Sequence, residues 1–310
     1  MGDNENIKDQ EVKVSVIMSV YNHGPYIAKA IESVIEQKTN FCFELLIGED
    51  CSTDNTKTII EKYEKKFPHI IKVKYWGKNV GPKENGDFLF RNAKGKYLAI
   101  CEGDDYWCDK NKLQKQFDFL EQNPNFSGIY HNVYCEDENG KTSEKKEINK
   151  YPIKERQIYD FEKIRGFNLP GQTASAFSVN IYKILNRDQI ELMENCNCNG
   201  DQKIAMILAC IGNIMFMEDV MAVHRVILKG DSWSAKTFGR NMQYRNYVSY
   251  LEISRLAKKV FEKEYFDKNT EKIIVINSIK TIKYKLSAEN INVALRIILL
   301  FIWNHLQIKR

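Results

Sequence analysis

VSVIMSVYNHGP, residues 14–25, decides the fold class. Its first seven residues are almost all apolar or β-branched, as in a strand buried on both faces of a parallel sheet. Tyr-Asn-His-Gly stops that strand, and Pro25 stands where a first helical turn tolerates it. Ile27, Ala30, Ile31, Val34 and Ile35 then follow at helical spacing. The stretch predicts one β-loop-α unit.

The same unit recurs downstream. A strand over 43–47 precedes a helix carrying Ile59, Ile60, Tyr63 and Phe67 on one side. A strand over 70–75, a short helix near Phe88 and Leu89, a strand over 96–101 and a helix displaying Leu113, Phe117 and Leu120 continue the alternation. That rhythm predicts an α/β protein with a mostly parallel, doubly wound sheet flanked by helices, whose ligands sit beyond the carboxyl ends of the strands. Residues 136–154 turn charged and read as a solvated loop or hairpin. After them come a short helix, a strand near 174–179, a helix over 201–211 and strands over 214–217 and 220–226. Beyond Lys236 the pattern is almost wholly helical. The chain thus divides into a polar tail over 1–11, a first half over 12–135, a second half over 136–235 and a C-terminal helical extension over 236–310.

Bulk properties narrow the function. With 310 residues, 43% hydrophobic and 28% charged, the chain fits one large core plus an appendage and is neither disordered nor a polytopic membrane protein. A net charge of +5 is too mild and too diffuse for a nucleic-acid binder. The eight cysteines form no CxxC pair, so neither a zinc site nor a disulfide framework is expected, and a reducing cytosol is. The polar start has no secretory h-region, and the most apolar run, 297–303, is too short to span a bilayer. The expected location is the cytoplasm, free or at the inner face of the membrane.

Two strand ends carry the chemistry. GEDCSTDNT, residues 48–56, sets Asp50 at a strand tip, where a carboxylate can accept from a base N–H or ribose hydroxyls. Ser52 and Asp54 in the same loop have a plainer reading as caps of the next helix. CEGDDYW, residues 101–107, places Glu102, Asp104 and Asp105 directly after an apolar strand. Clustered acids repel one another, so the tip calls for a cation or a set of donors, and Mg²⁺ or Mn²⁺ is the natural occupant. A polar turn capping the next helix is the alternative.

VSVIMSVYN at 14–22, EDCSTDNT at 49–56, NVG at 79–81 and EGDDYW at 102–107 together resemble the inverting family 2 glycosyltransferases, in order, spacing and strand-end position. The resemblance is close over about 12–135, looser to about 235, and does not reach the tail. It implies a GT-A, Rossmann-like fold whose first half binds a nucleotide sugar, and it implies sugar transfer with inversion. Val20, Tyr21 and Asn22 would line the base with Asp50 at its edge and Ser52 nearby, while Asn79 and Gly81 would close the pocket. Asp104 matches the metal-binding acid and Asp105 the acid beside it. Glu102 stands where the family usually has Asp, and would contact the nucleotide.

GDQKIAMILACIGNI at 200–214 resembles the family helix that begins with a catalytic acid, which implies Asp201 as general base; Asp201 as a helix cap is the other reading, and the two are compatible. VMAVHRVILKGDSWS at 220–234 resembles a segment that reads Tyr-Arg-x-His before Trp-Ser, so Arg225, Trp233 and Ser234 would meet acceptor or diphosphate. Ile227 replaces the family His, and His224 in a strand-like run reads as structural. NLPGQTASA, 168–176, reads equally as an acceptor-side loop or a plain turn.

The resemblance implies as partners a nucleotide-sugar donor, UDP-linked in such relatives, and a glycan or lipid-linked acceptor of surface polysaccharide or lipooligosaccharide assembly. The final segment, INVALRIILLFIWNHLQIKR, either packs on the catalytic domain or a second subunit, as in a homodimer, or lies in an anionic leaflet. A sugar-phosphate nucleotidyltransferase would need a Gly-rich phosphate loop after the first strand, which Tyr-Asn-His-Gly-Pro is not. A non-catalytic nucleotide-binding protein would bind the donor without releasing nucleotide.

Overall fold

The computed structural model describes residues 11–137, 142–143, 154–166, 168–227, 242–284 and 288–307. The first half runs β1 (Val12–Val20), α1 (Ile27–Ile35), β2 (Cys42–Glu49), α2 (Thr56–Lys66), β3 (Ile71–Tyr75), α3 (Gly81–Asn92), β4 (Tyr97–Ile100), β5 (Tyr106–Trp107), α4 (Lys112–Gln122) and β6 (Phe126–Asp137). The second runs β7 (Thr142–Ser143), β8 (Gln157–Tyr159), α5 (Phe161–Arg165), a single 3₁₀ turn (Thr173–Ser175), β9 (Phe177–Val179), α6 (Ile181–Ile184), α7 (Arg187–Asn195), α8 (Gly200–Ile211) and β10 (Asn213–Val226). Three helices follow, α9 (Gln243–Phe261), α10 (Lys268–Tyr284) and α11 (Ala288–Gln307).

One mixed sheet holds both halves, in the order β3-β2-β1-β4-β9-β6-β10-β5, with β7 on β6 and β8 on β10. The four strands read as apolar runs are mutually parallel, as expected of strands joined by crossover helices. β9 inserts antiparallel between β4 and β6. β6 crosses the boundary placed at 135/136, so the two halves share a sheet. The two strands expected at 214–217 and 220–226 form one continuous strand, β10, whose register against β6 shifts between Met217 and Val220.

Two clusters make up most of the core. The first, under α1, α2 and α4, packs Val16, Met18, Ile31, Val34, Leu45 and Ile60. The second joins the second half to the tail, with Ile207 and Leu208 of α8 against Tyr247 and Tyr250 of α9, Ile274 of α10 and Ile297 of α11. Tyr265 donates to the Ile164 carbonyl of α5 at 2.7 Å, and Tyr247 to buried Glu271 at 2.7 Å. The helical extension therefore shares its core with α8, the helix that carries Asp201. Among the described residues no helix is long and apolar enough to cross a membrane.

Candidate active site

Parallel order brings the carboxyl ends of β1, β2 and β4 together, and three loops meet there. Asn22 and Cys51 adopt left-handed backbone, at φ 55° and 58°, which folds each loop sharply back at its strand end. The loops then bond to each other. Ser52 Oγ accepts from the Asn22 N–H at 3.0 Å, Asn22 Oδ1 accepts from the Thr53 N–H at 2.8 Å, and Asp54 accepts from the Gly24 N–H at 2.9 Å. Asp54 also accepts from the Thr56 N–H at the start of α2, although the cap position itself is taken by Asn55, whose side chain makes no capping bond; Ser52 serves the Asn22 loop.

Asp50 is 2% exposed and engaged otherwise than expected of a residue on the base edge. Its two carboxylate oxygens accept from the Val80 N–H at 2.7 Å and the Gly81 N–H at 2.9 Å. It thereby pins the Asn79–Gly81 segment, where Gly81 sits at φ 86° to turn the chain into α3. Each oxygen keeps a further lone pair for a ligand. Asn85 of α3 locks the same corner, donating to Ser19 Oγ and the Gly48 carbonyl at 2.9 Å each.

The third loop is the acidic tip. Carboxylate oxygens of Glu102, Asp104 and Asp105 lie within 4.8 Å of one another. Gly103 lets this tip close onto the first loop: a Cβ there would meet His23 Nδ1 at 2.6 Å and Val20 Cγ2 at 2.9 Å. His23 Nδ1 is buried with no hydrogen-bond partner. Burial, then Asp104 and Asp105, push the Glu102 carboxyl up to about 8. Burial and Asp105 likewise raise Asp104, against the pull of His23 and His224. Three crowded hard-oxygen donors, of which Glu102 and Asp104 are held back from ionising by burial and by their acidic neighbours, fit a divalent cation, and an orphaned ring nitrogen beside them fits a polar ligand.

Strand pairing delivers the other side of the tip. β10 runs antiparallel to β5 with Ala222 opposite Trp107 and Val223 opposite Tyr106. One further step faces His224 to Asp105 and Arg225 to Asp104. His224 Nδ1 lies 3.1 Å from Asp105 Oδ1, and the Arg225 N–H donates to the same oxygen at 2.8 Å. Burial alone would lower His224, but Asp105, with Asp104 and Glu102 behind it, holds it up at about 9. The Arg225 guanidinium donates to the Asp104 carbonyl at 2.8 Å and to buried Glu136 at 3.1 Å, and it covers the Tyr106 ring at 4.6 Å. Its side chain thus braces the tip. Trp233 and Ser234 lie outside the described residues.

Residues 172–176 close the network. Gln172 Nε2 lies 2.8 Å from His224 Nδ1, and its Oε1 accepts from the Ala174 N–H. Trp107 Nε1 donates to the Ala174 carbonyl at 3.2 Å and Gln116 to the Ser175 carbonyl at 3.1 Å. Buried Lys112 donates to Gln116 at 2.7 Å. Asp201 lies in the first turn of α8, one residue past the helix's first position, and accepts from the Gln202 N–H at 2.8 Å. Its charge is among those that raise Glu102, so it stands within electrostatic reach of the tip. His23, Gln172 and His224 were not singled out for this site: His23 sits in the Tyr-Asn-His-Gly loop read only as a strand stop, Gln172 in the loop read equally as acceptor-side or a plain turn, and His224 arrives through the long-range β5–β10 pairing.

Comparison with known proteins adds three findings. A family model described as Glycosyl transferase family 2 matches residues 15–182. The chain is 38% identical over 107 residues to TuaG of Bacillus subtilis, named a putative teichuronic acid biosynthesis glycosyltransferase, which covers 34% of this chain and 41% of TuaG. The chain spans well under two thirds of the curated relatives it matches; for an uncharacterized Mycobacterium tuberculosis relative the share is 35%. Among solved structures, TarS 1-349 of Staphylococcus aureus in complex with UDP-GlcNAc aligns with a TM-score of 0.64 at 18% identity, over 92% of this chain and 79% of that one. The mannosyltransferase PcManGT of Pyrobaculum calidifontis, in complex with GDP-Man and Mn²⁺, aligns at 0.53 and 14%, over 94% and 81%.

Proposed function

Because the chain belongs to glycosyl transferase family 2, we propose that it transfers a sugar from a nucleoside-diphosphate donor to an acceptor hydroxyl, with inversion at the anomeric carbon. The observation that carries this reading is the convergence of the acidic tip, the Asn22 loop and the Asp50-pinned segment at the carboxyl ends of β1, β2 and β4. We take a uridine diphosphate sugar as the first donor to try, as in the TarS complex, and a guanosine diphosphate sugar second, as in PcManGT. A surface-polysaccharide acceptor follows the name of TuaG.

In this reading Val20, Tyr21, Asn22 and the free lone pairs of Asp50 receive the nucleoside, with Ser52 holding Asn22 in place and Asn79 and Gly81 closing over it. Asp104 and Asp105 would hold a divalent cation, Mn²⁺ or Mg²⁺, which would supply Lewis-acid stabilisation of the departing charge, worth on the order of several kcal/mol. Glu102, whose carboxylate belongs to the same cluster, would contact the nucleotide. His23 offers its orphaned ring nitrogen to the same polar ligand. Arg225 keeps the tip in register, and Asp201 accepts the acceptor's proton as the hydroxyl acidifies late in the reaction. Placement of that carboxylate counts for more than its basicity, since the alcohol becomes acidic only in the transition state.

The test is release of nucleotide from a panel of UDP- and GDP-sugars with Mn²⁺ and a glycan or lipid-linked acceptor. Asp201→Asn is expected to bind donor as wild type does while turnover falls about 10²- to 10⁴-fold. Near wild-type turnover in that variant would remove Asp201 from the base role. Donor binding without any release across the panel would leave a nucleotide-binding protein and no transferase.

A further inference from the structure

The chain's charge is unevenly spread. Of its 46 basic residues eight fall within 268–310, against two of its 41 acidic ones, so this segment carries +6. The remaining residues, with 38 basic against 39 acidic, carry −1, although the whole molecule is +5. The segment's two helices are docked on the second core through Ile274 and Ile297, which leaves their opposite faces outward.

On α11 that outward face is apolar. Ile291, Leu295, Leu299, Ile302 and Trp303 are exposed, with Leu295 at 55%, Leu299 at 66% and Trp303 at 54%. At about 100° per residue these five fall within an arc of roughly 120°, a single stripe along the helix. On α10, Ile273 and Ile276 are exposed as well, at 58% and 48%. Among the described side chains of α10 and α11, every exposed charge is a cation: Lys268, Lys272, Lys280 and Arg296. Glu271 is buried under Tyr247. A contiguous apolar stripe of this size on a folded protein marks a contact surface.

From this combination we infer that the outward face of α10 and α11 docks on an anionic lipid bilayer, with the α11 stripe in the headgroup–acyl boundary and the lysines against lipid phosphates. Charge selects this occupant: a second copy of the same face would set cations against cations, whereas an anionic leaflet neutralises them. The helix lies along the surface, since none of the described helices is apolar enough to span it. The inference is independent of the sugar-transfer reading, as it uses no donor, metal or catalytic residue.

The experiment is co-sedimentation of the full chain with vesicles of phosphatidylcholine alone or mixed with about 30% phosphatidylglycerol. The wild type is expected to pellet with the anionic vesicles at least tenfold more strongly than with the neutral ones, and to be released by high salt. Leu295→Glu/Leu299→Glu is expected to lose at least tenfold in partitioning while its circular dichroism and melting temperature stay those of wild type, because both side chains face outward. Trp303→Phe is expected to keep pelleting and lose the lipid-induced blue shift of fluorescence. Equal pelleting of wild type and the double variant overturns the inference. So does absence of pelleting with a concentration-dependent doubling of mass that the double variant abolishes, which would assign the stripe to a second copy.

Discussion

Replacing Arg225 with Met removes a guanidinium that holds the acidic tip at several points. The side chain is buried, its Nε donates to Glu136 at 3.1 Å, its Nη1 donates to the Asp104 carbonyl at 2.8 Å, and its plane covers Tyr106. Glu136 is buried too, so the variant strands a carboxylate whose cation has gone. Breaking a buried pair from one side costs about 3–5 kcal/mol. The lost hydrogen bond to Asp104 adds about 0.5–1.5 kcal/mol. A total of roughly 4–6 kcal/mol is a large share of the about 5–15 kcal/mol that holds a domain folded. At about 2 °C per kcal/mol, the low end of the range for domains of about 150–250 residues, the melting midpoint falls by about 8–12 °C. Arg225→Met/Glu136→Leu exchanges the pair for two apolar side chains and recovers most of that loss. Thermal circular dichroism on the single variants and the double variant reads the cycle. A single variant melting within about 3 °C of wild type, or a double variant no more stable than Arg225→Met, refutes the brace.

Asp50→Asn keeps one acceptor but turns an amide NH₂ toward a backbone N–H of Val80 or Gly81; losing a charge-assisted bond of about 1.5–3 kcal/mol weakens nucleotide binding by about 10- to 150-fold, read by titration calorimetry with UDP. Unchanged affinity would detach Asp50 from the pocket. Metal binding at the tip is expected to be linked to protons. Glu102 titrates near 8, above its ordinary range, so at pH 7 it holds a proton that a bound cation displaces. Apparent Mn²⁺ affinity therefore rises with pH toward 8 and levels off above it, and calorimetry in buffers of different ionisation enthalpy reads about one proton released per ion at pH 7. No proton release would mean that Glu102 stays outside the metal's reach.

The first half was legible because its strands are unbroken apolar runs and its helices show one-sided periodicity, so β1 to β4 and α1 to α4 stood out. β6 did not. It is buried on both faces yet carries Ser127, His131 and Asn132: Ser127 donates to the Leu208 carbonyl and Asn132 exchanges hydrogen bonds with Lys154, both far along the chain, while His131 bonds only the neighbouring Asn132 carbonyl. Polar residues of that kind break a hydrophobic pattern without breaking a strand. β5 and β8, two and three residues long, have no pattern to detect. The carboxylates of the candidate site were visible as three acids after an apolar strand. What faces them was not, since His224 meets Asp105 through the β5–β10 register, which lies 119 residues away along the chain. Asp50 looked free to meet a ligand because nothing local shows that it first satisfies the Val80 and Gly81 amides.

The place of β9 in the sheet has a consequence for biosynthesis. Three residues, Phe177–Val179, are wedged between β4 and β6, pairing with Tyr97–Ala99 of β4 on one side and with Gly128 and Ile129 of β6 on the other. A nascent chain that has emerged only as far as the 3₁₀ turn at Thr173–Ser175 can already assemble β3-β2-β1-β4, but before Phe177 is available β4 ends that sheet as a raw edge. Ribosome stalling or proteolytic clipping ahead of that point would release a fragment with a sticky border, the kind that recruits strands from neighbouring chains.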